Sequence, residues 1–269
     1  MNEIIFELRD IDFSYLGKFP ALSNINVSIG QGEKIAVIGA NGSGKSTLMH
    51  LLDSLIFPDR GTFKAFGREI KEDLFNDADF SRDFRRRVGL VFQNPDVQLF
   101  CPTVKEDILF GPLQLGLDKN ETKKRFDELV EILAIGSLLD RSPHQLSIGE
   151  KRKAAIASTL VIGPEVLILD EPTAGLDPAT TRRIIDLLIK AHDSGKTIIT
   201  STHDLHILSE ISDSICVFSP DKTIIRSGST EAILNDEQLL KDNNLVHIHV
   251  HKHKGQVHTH LHRHLDHHH

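Results

Sequence analysis

Within nine residues, Gly39-Ala40-Asn41-Gly42-Ser43-Gly44-Lys45-Ser46-Thr47, the chain groups three glycines, a lysine and four hydroxyl or amide side chains suited to phosphate chemistry. The run fills every fixed position of the phosphate-loop pattern, Gly, four residues, then Gly-Lys-Ser/Thr. Glycines at this spacing let the backbone turn tightly and aim successive N–H groups at phosphate oxygens, and a following helix adds its positive end. Lys45 is placed to reach the β and γ phosphates, and the Ser46 hydroxyl to hold Mg²⁺. The run follows Ile35-Ala36-Val37-Ile38 and precedes Leu48-Met49-His50-Leu51-Leu52, so its context reads strand, loop, helix. The residues imply a nucleoside triphosphate site.

A second set of polar residues stands at the ends of apolar runs. Leu167 to Asp170, followed by Glu171, is an apolar strand ending in two carboxylates, one suited to Mg²⁺ and one to polarising a water. Gln93 follows the apolar run Val88–Phe92, and His203 follows Thr197–Ser201. Ser147-Ile148-Gly149-Glu150 opens a helix just ahead of the carboxylate strand, and Asp177-Pro178 pairs a side-chain acceptor with proline at a helix start.

The elements that must position these groups are visible as changes of period. Ile5–Leu8, Ile11–Tyr15 and Ile25–Ile29 read as antiparallel β structure, and Gly30-Gln31-Gly32 turns into the strand ahead of the phosphate loop. Residues 66–88 are charged and aperiodic and are expected to be a surface connection. From Thr103 to about Leu160 the pattern is helical; Phe126, Leu129, Val130 and Leu133 share one face, with Gly136 as the predicted stop, and a further helix is expected from Ser147 or Ile148 to Ile162. Strands at 166–170 and 197–201 flank a helix from Pro178 to Ser194. Alternating strands and helices around a phosphate loop imply an α/β fold: a P-loop NTPase core on a parallel sheet, an N-terminal antiparallel β subdomain, and an α-helical subdomain inserted at about 96–162.

Composition narrows the class. With 39% apolar and 26% charged residues the chain fits a globular protein, and no apolar run approaches the roughly 18–20 residues of a membrane span. No basic-then-apolar leader opens the sequence, and two cysteines, Cys101 and Cys216, are too few for a disulfide framework, so a reducing cytoplasm is expected. Of the net charge of −7, Lys252, Lys254, Arg263 and Asp266 contribute +2, leaving −9 on residues 1–246. An acidic body argues against nucleic acid as a partner.

Taken in order, these motifs resemble the ATP-binding-cassette (ABC) ATPases, with Leu146-Ser147-Ile148-Gly149-Glu150 standing where that family has LSGGQ, over about residues 3–235. The resemblance implies that Tyr15 stacks on adenine and that Gly39 and Asn41, Gly42, Ser43, Gly44, Lys45, Ser46 and Thr47 wrap the phosphates of ATP. It implies Mg²⁺ near Ser46, Gln93 and Asp170, Glu171 as general base and His203 as the residue sensing the γ-phosphate. Ser147, Gly149 and Glu150 are then expected to face ATP held by a second subunit, in a homodimer or heterodimer, with Asp177 linking the two sites. Ile148 and Glu150 depart from the family pattern. The extra carboxylate of Glu150 is expected to oppose closure on ATP, offset by Lys151, Arg152 and Lys153. Cys101 reads as a small filler.

The run Val91-Phe92-Gln93-Asn94-Pro95-Asp96-Val97-Gln98-Leu99-Phe100, continuing through Pro102-Thr103-Val104 to Phe110-Gly111-Pro112-Leu113, is similar to the ATPases of energy-coupling-factor importers of the cobalt and nickel branch. That likeness implies an integral membrane partner docking at about residues 95–115, and a peripheral location on the cytoplasmic face of the membrane. The C-terminus adds its own argument: 11 of the 16 histidines fall in the last 23 residues. His247, His249, His251 and His253 alternate with other residues, and after Lys254-Gly255-Gln256-Val257, a predicted turn, His258, His260, His262 and His264 alternate again. In two strands this puts four imidazoles on one face of each, a donor set suited to nickel, cobalt, copper or zinc. His267-His268-His269 alone matches a purification tag; the alternating run does not. The expected organisation is an ATPase domain at 1–235, a linker at 236–246 and a metal-binding tail at 247–269. The expected function is ATP hydrolysis that drives import of cobalt or nickel. An importer of another substrate, such as a vitamin, with a metal-buffering tail, and a soluble metal-responsive ATPase stay open as alternatives.

Overall fold

Isoleucine, valine and phenylalanine recur through the first thirty positions, and they build two long antiparallel strands, β1 (Ile4–Tyr15) and β2 (Phe19–Gly30). The computed structural model describes residues 3–245 with their side chains, and the backbone of 247–253 and 256–262. The two segments expected at 5–8 and 11–15 form one strand. The pairing slips between Leu8 and Ile11, and Asp10 takes a left-handed φ of 52°, a bulge that absorbs the polar pair Arg9-Asp10 without breaking the strand. With β4 (Arg60–Ala65) and β5 (Arg68–Glu69) they form a four-stranded antiparallel sheet in the order β2-β1-β4-β5.

The second sheet has six strands. β3 (Lys34–Ile38), β6 (Val88–Val91), β7 (Val166–Asp170), β8 (Thr197–Ser201) and β9 (Ser214–Phe218) run parallel, and β10 (Ile224–Ser229) closes one edge antiparallel to β9. The order is β10-β9-β3-β8-β7-β6. Both faces of the parallel strands are covered, which is why β7 and β6 read as unbroken apolar runs. Register decides what this sheet can do. Val37 lies opposite Ser201, Asp170 opposite Ser201, and Val91 opposite Leu169. The strand ends are therefore level, and Gly39, Gln93, Glu171 and His203, each one or two residues past a strand, leave the sheet at one end. Ligands of open α/β sheets bind at that carboxyl end.

Helix α1 (Lys45–Leu52) starts directly from the phosphate loop and buries Leu48, Met49, Leu51 and Leu52 between the two sheets. Residues 66–88 are not the plain surface connection expected. After β5 and a 3₁₀ turn, Asp77 caps helix α2 (Ala78–Arg87) by accepting from Asp79 N and Phe80 N. Among its ten residues only Phe84 is buried, so the sequence shows no apolar stripe; the helix is held by that one ring and by its arginines. Arg85 donates to the Asp53 carboxylate at 2.9 Å, and Arg87 lies over the Phe66 ring.

The helical region comprises α3 (Val104–Leu115), α4 (Lys119–Ile132) and α5 (Ile148–Leu160). Helix α4 ends earlier than expected: Ala134 turns the chain at φ 50°, and Gly136 begins a 3₁₀ turn instead. The alanine face of α5, Ala154, Ala155 and Ala157, is fully buried, letting this helix pack closely against β6 and α3. Helix α6 (Pro178–Asp193) has Asp177 as its cap, accepting from Thr180 N at 3.0 Å. Beyond Ser201, where the sequence pattern names no element, come α7 (Leu208–Ile211), β9, β10, α8 (Thr230–Leu234) and α9 (Glu237–Asp242). Strands β11 (His247–His253) and β12 (Gln256–His262) pair antiparallel. Among the described residues no helix is long and apolar enough to cross a membrane.

Candidate active site

The phosphate loop keeps its shape through its glycines, and at Gly44 there is no room for a side chain. Gly44 has φ 114°, and an added Cβ there meets the Ala21 carbonyl oxygen at 2.5 Å. Lys45 folds back over its own loop, donating to the carbonyls of Gly39 at 2.8 Å and Ala40 at 3.2 Å. Burial pushes its ammonium below the usual lysine range, and Glu171 and Asp170 work against that shift. The Ser43 hydroxyl is buried and has no hydrogen-bond partner. A buried orphan of this kind is costly, and a phosphate oxygen at the loop satisfies it. The first N–H groups of α1 have no partner within the helix either. Ser46, Asp170 and Gln93 offer hydroxyl, carboxylate and amide oxygens, the donor set that Mg²⁺ takes. The residues present fit a magnesium nucleotide.

Tyr15 ends β1 beside this loop. Its hydroxyl is 3.3 Å from Thr47 Oγ1, its ring packs edge-on against Phe13, and its remaining face is exposed. Lys222, in the turn between β9 and β10, donates to the Gly42 carbonyl, a contact with the loop that no local motif announces.

Past β7 the chain turns sharply, with Glu171 at φ 50°. Three groups hold that strained residue. Its N–H donates to the Ser201 carbonyl and hydroxyl, each at 3.1 Å; its carbonyl accepts from Arg152 Nη1 at 2.8 Å; its Oε2 accepts from His203 Nδ1 at 2.9 Å. Ser201 also donates to Asp170 Oδ1, which fixes the neighbouring carboxylate. The hydrogen bond to Glu171 raises the His203 imidazole above its ordinary range, against the opposing effect of burial. Gln93 is exposed just past β6, level with Glu171. The structure thus gathers Lys45, Asp170, Glu171 and His203, with Tyr15 and Gln93 at the margins. Ser201, Arg152 and Lys222 complete the site; the sequence alone assigns none of them to it, and pairs Arg152 with Glu150 instead.

Ser147, Gly149, Glu150 and Asp177 lie outside this cluster. Ser147 caps α5, and Glu150 Oε2 accepts from both the Ser147 N–H and its hydroxyl, each at 2.8 Å. The backbone N–H of Ser147 holds the Glu150 carboxyl below the usual range, with smaller contributions from Arg141 and Lys153. The expected offset of Glu150 by three cations needs correction. Lys151 is tied to Asp96 at 2.6 Å, and Arg152 is buried against Glu171, so of the three only Lys153 acts on Glu150. Gly149 packs next to Leu176, and Ile148 stands exposed beside it.

Gln98, Phe100, Asp107, Phe110, Gly111, Gln114 and Leu115, from the segment 95–115, line one wall of an open groove of about 430 Å³, together with Leu55, Arg85 and Phe92. Phe100 and Phe110 pack edge-to-face at its rim, with Phe100 67% and Leu113 69% exposed. Asp107 is buried in the groove; Oδ1 accepts from the N–H groups of Phe100 and Cys101, and Oδ2 accepts from nothing. Burial and the adjacent Asp107 push the Cys101 thiol up to about 11, which makes it unreactive.

In the tail, backbone register sets His247 opposite His262, His249 opposite His260 and His251 opposite His258. His253 faces Gln256, so the turn is tighter than the four residues expected, and His264 lies outside the described residues. Among the described residues no cluster of three or more His, Cys, Asp or Glu side chains could hold a metal.

Residues 22–174 match the family model described as ABC transporter. The chain is 44% identical to the nickel import ATP-binding protein NikO of Rhodobacter capsulatus, over 90% of this chain and 95% of that one. It superposes on cbiO1 of Clostridium perfringens, part of the ABC transporter complex cbiONQ, with TM-score 0.74 and 34% identity, covering 91% and 96% of the two chains. A dimeric ATP-binding cassette carrying ADP and Pi gives TM-score 0.75 at 26% identity, covering 84% and 99%.

Proposed function

Because the chain belongs to the ABC transporter family, as an ATP-binding subunit with ATPase activity, we propose that it powers import of a divalent transition metal, nickel or cobalt, through a membrane partner. The observation that carries the catalytic half of this reading is the convergence of Lys45, Asp170, Glu171 and His203 at one sheet end. Tyr15 offers its exposed face to the base, and residues 39–47 take the phosphates. Ser46, Asp170 and Gln93 would hold magnesium, which would supply charge neutralisation on the phosphate oxygens. Glu171 then accepts a proton from the attacking water as that water adds in line to the γ-phosphorus and the bond to the β–γ bridging oxygen breaks, releasing ADP and phosphate. His203 holds the carboxylate until nucleotide arrives, and then turns its imidazole N–H to the γ-phosphate.

Two copies complete the machine. The exposed start of α5, with Ser147 and Gly149, is an anion clamp for ATP on the partner copy, and Asp177 joins the two sites. Likeness to a dimeric cassette supports this arrangement. The groove lined from 95–115 receives the membrane subunit: apolar Phe100 and Phe110 at its rim, with exposed Leu113 nearby, meet its apolar side chains. We place the protein at the cytoplasmic face of the membrane on this ground.

Metal as the cargo rests on the tail and on likeness to NikO. The register sets three histidine pairs across one hairpin, and imidazole is a ligand type that nickel and cobalt take. Calorimetric titration of the full chain and of a chain lacking 247–269 with Ni²⁺, Co²⁺ and Zn²⁺ tests this. Tight binding selective for nickel or cobalt that disappears with the tail is expected; equal binding by both chains counts against the tail.

A further inference from the structure

We infer that Arg152 is a positioning residue for hydrolysis, setting the backbone of Glu171 from the same helix that clamps the partner copy's nucleotide. The inference rests on the proposed role of Glu171 as base. A guanidinium is among the least common groups to bury, yet Arg152 is 3% exposed. Among the described residues it forms no ion pair at salt-bridge distance; Nη1 donates to the Glu171 carbonyl at 2.8 Å, while Nε is buried and has no partner among those residues. Burying a charge so sparingly bonded is costly, so its retention calls for a function beyond packing.

The carbonyl it holds belongs to a residue under backbone strain. A glutamate at φ 50° returns to a relaxed turn unless its surroundings fix it. Ser201 fixes the N–H side of Glu171 and Arg152 the C=O side, so the peptide planes on both sides are pinned and the side chain is aimed at His203. Without Arg152 one plane is free to rotate. The carboxylate then leaves the line along which it must reach the water, and a misplacement of about 1 Å costs on the order of 10²-fold in rate. Phosphate binding, done by residues 39–47, is untouched.

The place of Arg152 in the chain gives this contact a second consequence. It sits five residues after Ser147 on α5, about 7.5 Å along the axis at 1.5 Å per residue. A helix of this length moves as a rod. When its start closes on ATP of the partner copy, Arg152 moves with it and carries the Glu171 carbonyl. The base of one site thereby registers nucleotide in the other.

The test compares full-length Arg152→Gln, Arg152→Lys, Glu171→Gln and the double variant Arg152→Gln/Glu171→Gln in steady-state ATP hydrolysis, nucleotide binding and thermal melting. Arg152→Gln is expected to lower kcat about 10²-fold with KM for ATP unchanged. Arg152→Lys, which keeps one cationic donor, is expected to recover most of that loss. In the Glu171→Gln background Arg152→Gln is expected to add nothing, since both act through one group. Wild-type kcat in Arg152→Gln beside a slow Glu171→Gln overturns the inference alone. So does a loss of nucleotide binding and melting temperature that Arg152→Lys fails to restore. Normal turnover by Glu171→Gln removes the base itself, and the inference with it.

Discussion

Replacing Gly44 by alanine tests how the phosphate loop is built, and the structure gives the size of the effect. The new Cβ lies 2.5 Å from the Ala21 carbonyl oxygen, where ordinary contact begins at 3.4 Å, a shortfall of 0.9 Å. Ala21 belongs to β2, paired along its length to β1, so the loop must yield rather than the strand. Phe218 Cε1 at 3.3 Å and Leu22 Cδ2 at 3.4 Å bar sideways escape. A shift approaching 1 Å at the residue before Lys45 costs on the order of 10²-fold in kcat/KM. The left-handed φ adds roughly 1–2 kcal/mol of strain. Gly42 is the control: it has φ 73° but no atom within 4 Å of an added Cβ. Gly42→Ala therefore meets only the roughly 1–2 kcal/mol of strain, a loss of about tenfold. Fluorescent-nucleotide binding and steady-state hydrolysis on both variants supply the comparison. Gly44→Ala turning over normally, or Gly42→Ala proving as damaging, would refute the steric argument.

Two other outcomes follow from the same geometry. The His203 titration midpoint, read by NMR against His203→Gln, should lie above the ordinary value near ~6.5 and fall in Glu171→Gln, where burial and Lys45 lower it against the smaller opposing effect of Asp204. Because the folded midpoint is the raised one, the stability this pair contributes is complete below ~6.5 and is lost as pH rises through that midpoint; an unchanged midpoint in Glu171→Gln would sever the pair. Leu113→Asp combined with Phe100→Asp should abolish co-purification with the membrane subunit while nucleotide affinity stays constant, and retained co-purification would move the docking surface elsewhere.

What could be read from the sequence was whatever is local. The phosphate loop, the carboxylate pair after β7 and the Asp177 cap declare themselves within a few residues, because turning, anion binding and capping use neighbours. Helix α2 was missed for the converse reason. With Phe84 as its one buried residue it has no period, and its anchors, Asp53 and Phe66, lie on other elements. The Arg9-Asp10 interruption looked like a strand boundary because a bulge leaves no pattern of its own. Arg152 was read as a surface charge that offsets Glu150, since the helix wheel cannot tell a solvated arginine from one turned onto Glu171. Lys222 reaches the loop across 180 residues, a contact that only the β3–β9 pairing creates. The signal for Arg152 was present in one respect: it is the middle of three cations on a helix with a buried alanine face.

Transport is the most direct measurement of what this subunit does. Proteoliposomes holding this subunit with its membrane partner, loaded with ATP on the side of the subunit, should accumulate radiolabelled nickel or cobalt, and Glu171→Gln should bind ATP, hold the dimer closed and accumulate neither. ATP hydrolysed at the normal rate with neither metal moved would contradict the assignment of the cargo.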